Sequence, residues 1–201
     1  AVEFNDPAAL AAALAGGDIA AVLAEPAMTN VGMVLPAPGF LGELRALTRR
    51  HGSLLVVDET HTLSAGFGGM ARREHLEPDL LVCGKAIAGG VPCAVWGFGA
   101  AVEAGMREVR ARQGDGHHGG HSGMGTTLAG NALALAALQA ALAEVITPAS
   151  HARMEALGAR LEAALVAAFA ARGRGGHVSR LGARVEFGCG PAPRDGSGAE
   201  A

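Results

Sequence analysis

A chain of 201 residues, half of them apolar, has the length for one large domain, or for one domain and part of another, around a sizeable core. Its net charge of −3 and its scattered arginines leave no basic footprint for nucleic acid and no polybasic patch for a membrane surface. No apolar run free of Gly, Pro and charge is long enough for a signal peptide or a membrane span, so the cytoplasm is the default location. Cys83, Cys93 and Cys189 form no CxxC pair and read as buried or incidental thiols of a reducing compartment. The first residue is not Met and the last stretch, Gly188 to Ala201, is rich in Gly and Pro, so both ends read as cut.

Asp6 and Pro7 open a short helix as cap and first-turn proline, and Gly16-Gly17 end it. Ile19 to Ala24, bounded by Glu25-Pro26, suits a buried strand. After a turn at Pro36 to Gly39, Phe40, Leu41, Leu44 and Leu47 recur at helical spacing, with Glu43, Arg45, Arg49 and Arg50 opposite, until His51-Gly52. Leu54 to Val57 is a second strand that runs into Asp58-Glu59. Leu80 to Val82 is a third, ending at Gly84-Lys85, and Cys93 to Phe98 a fourth. A Gly/His loop follows, Gly114 to Gly125. Thr127 to Val145 then predicts one long Ala/Leu helix, apolar almost all round and so expected to be well buried. Pro148 breaks it. Ala152 to Ala171 predicts an amphipathic helix with Met154, Leu157, Leu161 and Leu165 on one face, after which the composition shifts to Arg and Gly. A domain boundary is placed near Pro148, giving residues 1–148 and 149–201, and no internal repeat is present.

Alternating strands and helices argue for an α/β layer with parallel strands. In such sheets ligands gather beyond the carboxyl ends of the strands, where Asp58 and Lys85 both lie. Lys85 is the only lysine, against fifteen arginines. Arg cannot take one task of Lys, that of an uncharged amine that forms a Schiff base. A surface lysine that happens to survive is the competing reading. Asp58 is either a solvated strand terminus or a binding carboxylate. A lysine and an aspartate on successive strand ends are together the minimum set for pyridoxal 5'-phosphate (PLP), whose protonated ring needs an anion at its nitrogen to act as electron sink.

The run Glu25-Pro26-Ala27-Met28-Thr29-Asn30-Val31-Gly32-Met33-Val34-Leu35-Pro36 resembles the "EP…N-G…P" stretch of class III aminotransferases. So do Pro38 to Leu41, Arg45, Leu54 to Glu59, Pro78-Asp79-Leu80, Gly84-Lys85, Gly89-Gly90-Val91-Pro92 and, as the family's "G-T-L-x-G-N", Thr127 to Asn131. The resemblance spans residues 3 to about 190, with the glutamate-1-semialdehyde aminomutase branch nearest. It implies a fold-type I PLP transferase, aspartate aminotransferase-like, with a mostly parallel sheet and flanking helices, incomplete at both ends. Residues 1–148 would be the C-terminal part of the large PLP-binding domain and 149–201 the start of the small domain. Lys85 would form the Schiff base and shuttle the substrate's alpha proton. Asp58 would pair with the ring nitrogen, and Thr127 would donate to the cofactor phosphate across the interface of a homodimer, apt for a loop entering a helix. A plain helix cap is the compatible simpler role for Thr127.

Thr60 and His61 depart from the family pattern, which usually has Val after Asp-Glu. Thr60 keeps nearly that shape and would pack on the ring. His61 would take the place of a Gln that reaches the cofactor's phenolic oxygen in some relatives, or be a structural histidine. The expected activity is amino-group transfer between a small amino acid or amine and a keto acid or aldehyde, or the same chemistry closed on one molecule as an aminomutase. Racemase and decarboxylase chemistry stay open, and Arg72 and Arg73 are unassignable as substrate-reading residues. His117, His118 and His121 invite a metal reading, but without structural-zinc spacing a substrate or partner contact is preferred, and no metal is expected. Asp58-Glu59-Thr60-His61 also matches a DExH nucleotide box, yet Ala86 follows Gly84-Lys85 where a phosphate loop needs Ser or Thr. A non-catalytic piece lacking half the pocket is the third reading.

Overall fold

The computed structural model describes residues 1–113 and 127–199. Helix α1 (Pro7–Leu14) is capped as its sequence demands, with Asp6 Oδ1 accepting from Ala9 N at 2.8 Å. Helix α2 (Phe40–Arg50) buries Phe40, Leu41, Leu44 and Leu47 against strands β1 (Ala21–Ala24) and β2 (Leu54–Asp58). With Leu10, Leu14, Met33, Leu55, Val57, Met70 and Leu76 these side chains form one continuous core. Arg45 leaves the polar side of α2 to clasp Asp79 through both guanidinium nitrogens, at 2.7 and 3.0 Å, and Asp79 Oδ2 also accepts Leu55 N at 2.8 Å. That fork fixes helix, β2 and the entry to strand β3 (Leu80–Cys83) in one register.

The sheet runs in the order β1-β2-β3-β4, with strand β4 being Val95–Phe98. The pairs β1–β2 and β2–β3 are parallel, as the alternation predicts. The fourth strand is not: β4 lies antiparallel to β3, with Val82 opposite Trp96. The reason is the connection. Gly89 and Gly90, both at positive φ, turn the chain back beside β3 within the eleven residues from Gly84 to Ala94, and no helix long enough for a parallel crossover lies between the two strands.

Helix α3 (Gly69–Arg73) places Met70 in the same core, and helix α4 (Ala100–Gln113), with no buried residue among those described, follows β4. The predicted helix from Thr127 is corrected at its start. Residues 127–130 are a turn, Gly130 has φ +70°, and Asn131 caps helix α5 (Ala132–Ala140) by accepting Ala134 N at 2.9 Å. A wider turn, Ala141–Val145, completes it. The expectation of burial also fails. Leu128, Leu133 and Leu142 are 76%, 69% and 52% exposed, and this segment enters the protein through Ala134 and Ala141. Those small residues let it pack on the turn that follows β3 (Lys85–Ala88).

Pro148 begins helix α6 (Pro148–Ala171), with Thr147 as cap. Its predicted apolar face is mostly outside: Met154, Leu157 and Leu161 are exposed, whereas His151 and Gly158 are buried. Gly158 faces the tip of a hairpin formed by strands β5 (His177–Leu181) and β6 (Arg184–Gly188), and a Cβ there would lie 3.1 Å from Gly182 O. A short helix, α7 (Gly196–Ala199), ends the described chain. Among the described residues no single helix is long and apolar enough to cross a membrane.

Candidate active site

The end of β2 and the turn after β3 meet as the parallel register requires, with Asp58 paired to Val82 and Glu59 N donating to Val82 O at 2.8 Å. Alternation then sends Asp58 and Glu59 to opposite sides. Glu59 is 1% exposed and anchors the fold, its carboxylate accepting the Thr62 hydroxyl and the backbone N–H groups of Met70 and Ala71 at the start of α3. Asp58 Oδ1 accepts Thr60 N at 2.8 Å; among the described residues Oδ2 has no donor. Cys83, beneath them, is buried, and burial pushes its thiol up to about 11, which makes it inert packing.

Lys85 follows at φ +52°, a left-handed conformation that a lysine adopts only where its surroundings enforce it. Its Nζ lies 2.9 Å from His61 Nε2. The other ring nitrogen, Nδ1, is 3.1 Å from Arg184 Nη1, across 123 residues of sequence. Arg184 is held in turn by Thr29 O at 3.0 Å and Glu186 at 2.8 Å. Burial, then the neighbouring Lys85 and Arg184 cations, hold His61 below the usual imidazole range, against the pull of Glu25 and Asp58. A cavity of about 270 Å³ opens beside this chain of contacts, lined by Thr60, His61, Lys85, Ile146, Met154 and Arg184 among others.

Of the residues singled out in the sequence, Thr60, His61 and Lys85 therefore share one cavity. Asp58 stands at the adjoining strand end without lining it. Thr127 is exposed in the turn before α5 and does not line it either. His117, His118 and His121 lie outside the described residues. Arg184, Ile146 and His151 were missed. The hairpin that carries Arg184 has a signal, since alternating Val178 to Leu181 and Arg184 to Phe187 flank Gly182-Ala183. Nothing local points Arg184 at His61.

The class-III aminotransferase family matches this chain over residues 5–189, and the chain belongs to that family. It is similar to the glutamate-1-semialdehyde 2,1-aminomutase of Sorangium cellulosum, 44% identical over 90% of this chain and 40% of that protein. The acetylornithine aminotransferase of Xanthomonas axonopodis pv. citri is 40% identical over 73% of this chain and 33% of its own length. Among solved structures, a glutamate-1-semialdehyde aminomutase from Pseudomonas aeruginosa PAO1 in complex with PMP superposes with a TM-score of 0.89 at 51% identity, covering 98% of this chain and 44% of that one. An omega-transaminase from Sphaerobacter thermophilus gives a TM-score of 0.81 at 30% identity, over 95% and 42%. The fold is thus that of these transferases, and family membership sets aside the DExH nucleotide reading. The chain spans about two fifths of the length of the curated relatives it matches.

Proposed function

We propose that this chain carries the cofactor lysine of a PLP-dependent enzyme that transfers an amino group, with Lys85 as the attachment point. The observation that carries this is the single lysine of the chain, held at positive φ with its Nζ 2.9 Å from an imidazole at a cavity. The donor set fits the cofactor: a primary amine for its aldehyde, a carboxylate oxygen without a donor among the described residues for its ring nitrogen, and Thr60 and His61 beside them. PLP, when bound, withdraws electrons from the substrate's alpha carbon. Lys85 Nζ would hold the cofactor and, when free, would hold and move the substrate's alpha proton. Asp58 would keep the ring nitrogen protonated, Thr60 would pack on the ring, and His61 would orient Nζ and serve the phenolic oxygen.

The relatives' activities support two outcomes of one chemistry. A transaminase releases its first product and needs a second, keto or aldehyde, substrate. A glutamate-1-semialdehyde-type 2,1-aminomutase retains the intermediate and needs none, and the 44% and 51% identical relatives favour it. The exposed apolar side of α5 supports assembly into a homodimer in which Thr127 serves the phosphate of the neighbouring subunit. The domain division near Pro148 rests on the Thr147 cap and Pro148 start of α6. A substrate panel tests the reading. Turnover that depends on an added keto acid identifies a transaminase, and isomerisation without an acceptor identifies an aminomutase. Lack of both in a PLP-loaded protein overturns amino-group transfer.

A further inference from the structure

A second cavity, of about 510 Å³, shares no lining residue with the one beside Lys85. It opens where the first residues of the chain, the loop before α2, strand β5 and the segment before α7 meet, and it has the size of a small-molecule site. Asn5 frames it. Its amide nitrogen donates to Leu35 O at 3.0 Å and to Arg194 O at 2.8 Å, and its amide oxygen accepts Ala37 N at 2.8 Å. The backbone there is left-handed, φ +66°, which asparagine tolerates. Glu3 accepts Gly196 N and the Ser197 hydroxyl, each at 2.6 Å, and so fastens the last segment to the first.

The lining specifies a ligand class. Met33 and Ser179, 1% and 7% exposed, are its most buried residues. The Ser179 hydroxyl has no hydrogen-bond partner among the described residues. The sealed, unpartnered side-chain atoms there are Arg45 Nε and Arg184 Nε, so this hydroxyl opens on the cavity that Ser179 lines and is satisfied by what occupies it. Phe4, Leu35 and Pro193 add apolar wall. Nearer the surface stand three carboxylates, Glu3, Asp6 and Asp195, against one guanidinium, Arg194. Asp6 and Asp195 each use one oxygen as a helix cap, accepting Ala9 N at 2.8 Å and Gly198 N at 2.6 Å; their other oxygens have no donor among the described residues. Excess negative charge above apolar wall and a buried hydroxyl complements an organic ammonium ion with a hydroxyl at its far end, and repels a carboxylate.

Two walls of this cavity also hold Arg184. Ser179 is the cross-strand partner of Glu186, whose carboxylate accepts Arg184 Nη2 at 2.8 Å. Met33 stands at one end of the loop closed by the Met28–Val34 bridge; Thr29 stands at the other, and its carbonyl accepts the same Nη2 at 3.0 Å. Nη1 of that guanidinium is 3.1 Å from the His61 ring. We propose that the cavity is an effector site for a hydroxyl-bearing organic ammonium ion, and that its occupancy reaches the His61–Lys85 cavity through Arg184. A ligand that draws Ser179 or Met33 toward itself moves Glu186 or Thr29, and with them the guanidinium. Neither part depends on what Lys85 binds.

The test uses the full chain without PLP, carrying ¹³C-methyl methionine and ¹³C-histidine, with Met33→Leu and His61→Phe to assign the two reporter signals. Tyramine is the probe; phenethylamine lacks its hydroxyl, and 4-hydroxyphenylacetate reverses its charge. Tyramine is expected to shift the Met33 methyl with a Kd on the order of 1 mM. Phenethylamine should bind about threefold more weakly, and 4-hydroxyphenylacetate should leave the methyl unmoved at about tenfold higher concentration. Ser179→Ala should erase the difference between the two amines, and Asp195→Asn should weaken both about threefold. No shift at Met33, or equal binding of the anion, overturns the site. At saturating tyramine the His61 ring signal is expected to move in the parent and to stay in place in Arg184→Met, which still binds tyramine at Met33. A His61 signal that ignores bound tyramine in the parent, or moves equally in Arg184→Met, overturns the coupling.

Discussion

Gly182, at the tip of the β5–β6 hairpin, lies flat against the backbone of Ala65, at φ +60° and with no room for a Cβ between them. Ala183 N donates to Ser64 O at 3.2 Å in the same contact. This close approach sets the distance at which Arg184, two residues on, meets His61.

Gly182→Ala adds both a methyl group against backbone and a strained φ. We expect a loss of about 2–3 kcal/mol in chemical denaturation. A variant as stable as the parent would mean that the hairpin tip does not sit on Ala65.

Glu59 provides the second anchor. Its carboxylate takes two backbone donors of α3 and the Thr62 hydroxyl, and Gly69 is forced by the same group, since a Cβ there would lie 2.7 Å from its Cδ. Glu59→Ala strands those donors in the interior, at a cost of about 3 kcal/mol. Urea denaturation measures it. A cost below about 1 kcal/mol would show that water replaces the carboxylate.

His61 makes stability depend on pH. The unfolded chain takes the His61 proton near pH 6.5, whereas the folded chain, by burial and by its Lys85 and Arg184 neighbours, takes it only at lower pH. Below about 6.5 the unfolded state therefore binds more protons, so stability is full above that pH and falls as pH drops toward the folded value. The difference in stability between pH 7.5 and pH 5 should be smaller in His61→Phe than in the parent. An equal difference would contradict the shift.

Asp79 works with the opposite charge. Bonds from Arg45, aided by Leu55 N, hold its carboxyl below the usual carboxylate range. Its stabilisation is present above about pH 4 and lost as pH falls through the lower folded value. Arg45→Met should cost about 2 kcal/mol at pH 7 and less at pH 3. A pH-independent deficit would assign the loss to packing of the arginine stem instead.

Local patterning made much of this legible. The helix over residues 40–50 follows from Phe40, Leu41, Leu44 and Leu47, and the strand ends that carry Asp58 and Lys85 follow from short apolar runs. The scarcity of lysine singled out Lys85. Strand direction did not follow, because a four-residue apolar run such as Val95–Phe98 reads the same both ways. Nor did the covered face of α6: Leu157 and Leu161 repeat at helical spacing, yet the close contact is made by Gly158, which carries no hydrophobic signal. The His61–Arg184 contact joins polar groups 123 residues apart and has no periodicity to betray it.

The central claim is that Lys85 holds PLP. Borohydride reduction in the presence of PLP, followed by peptide mass spectrometry, tests it most directly, on this chain and on a longer polypeptide that contains it. The account predicts a pyridoxyl mass on the peptide bearing Lys85, absent in Lys85→Ala. No pyridoxyl mass on Lys85 in either polypeptide would contradict it.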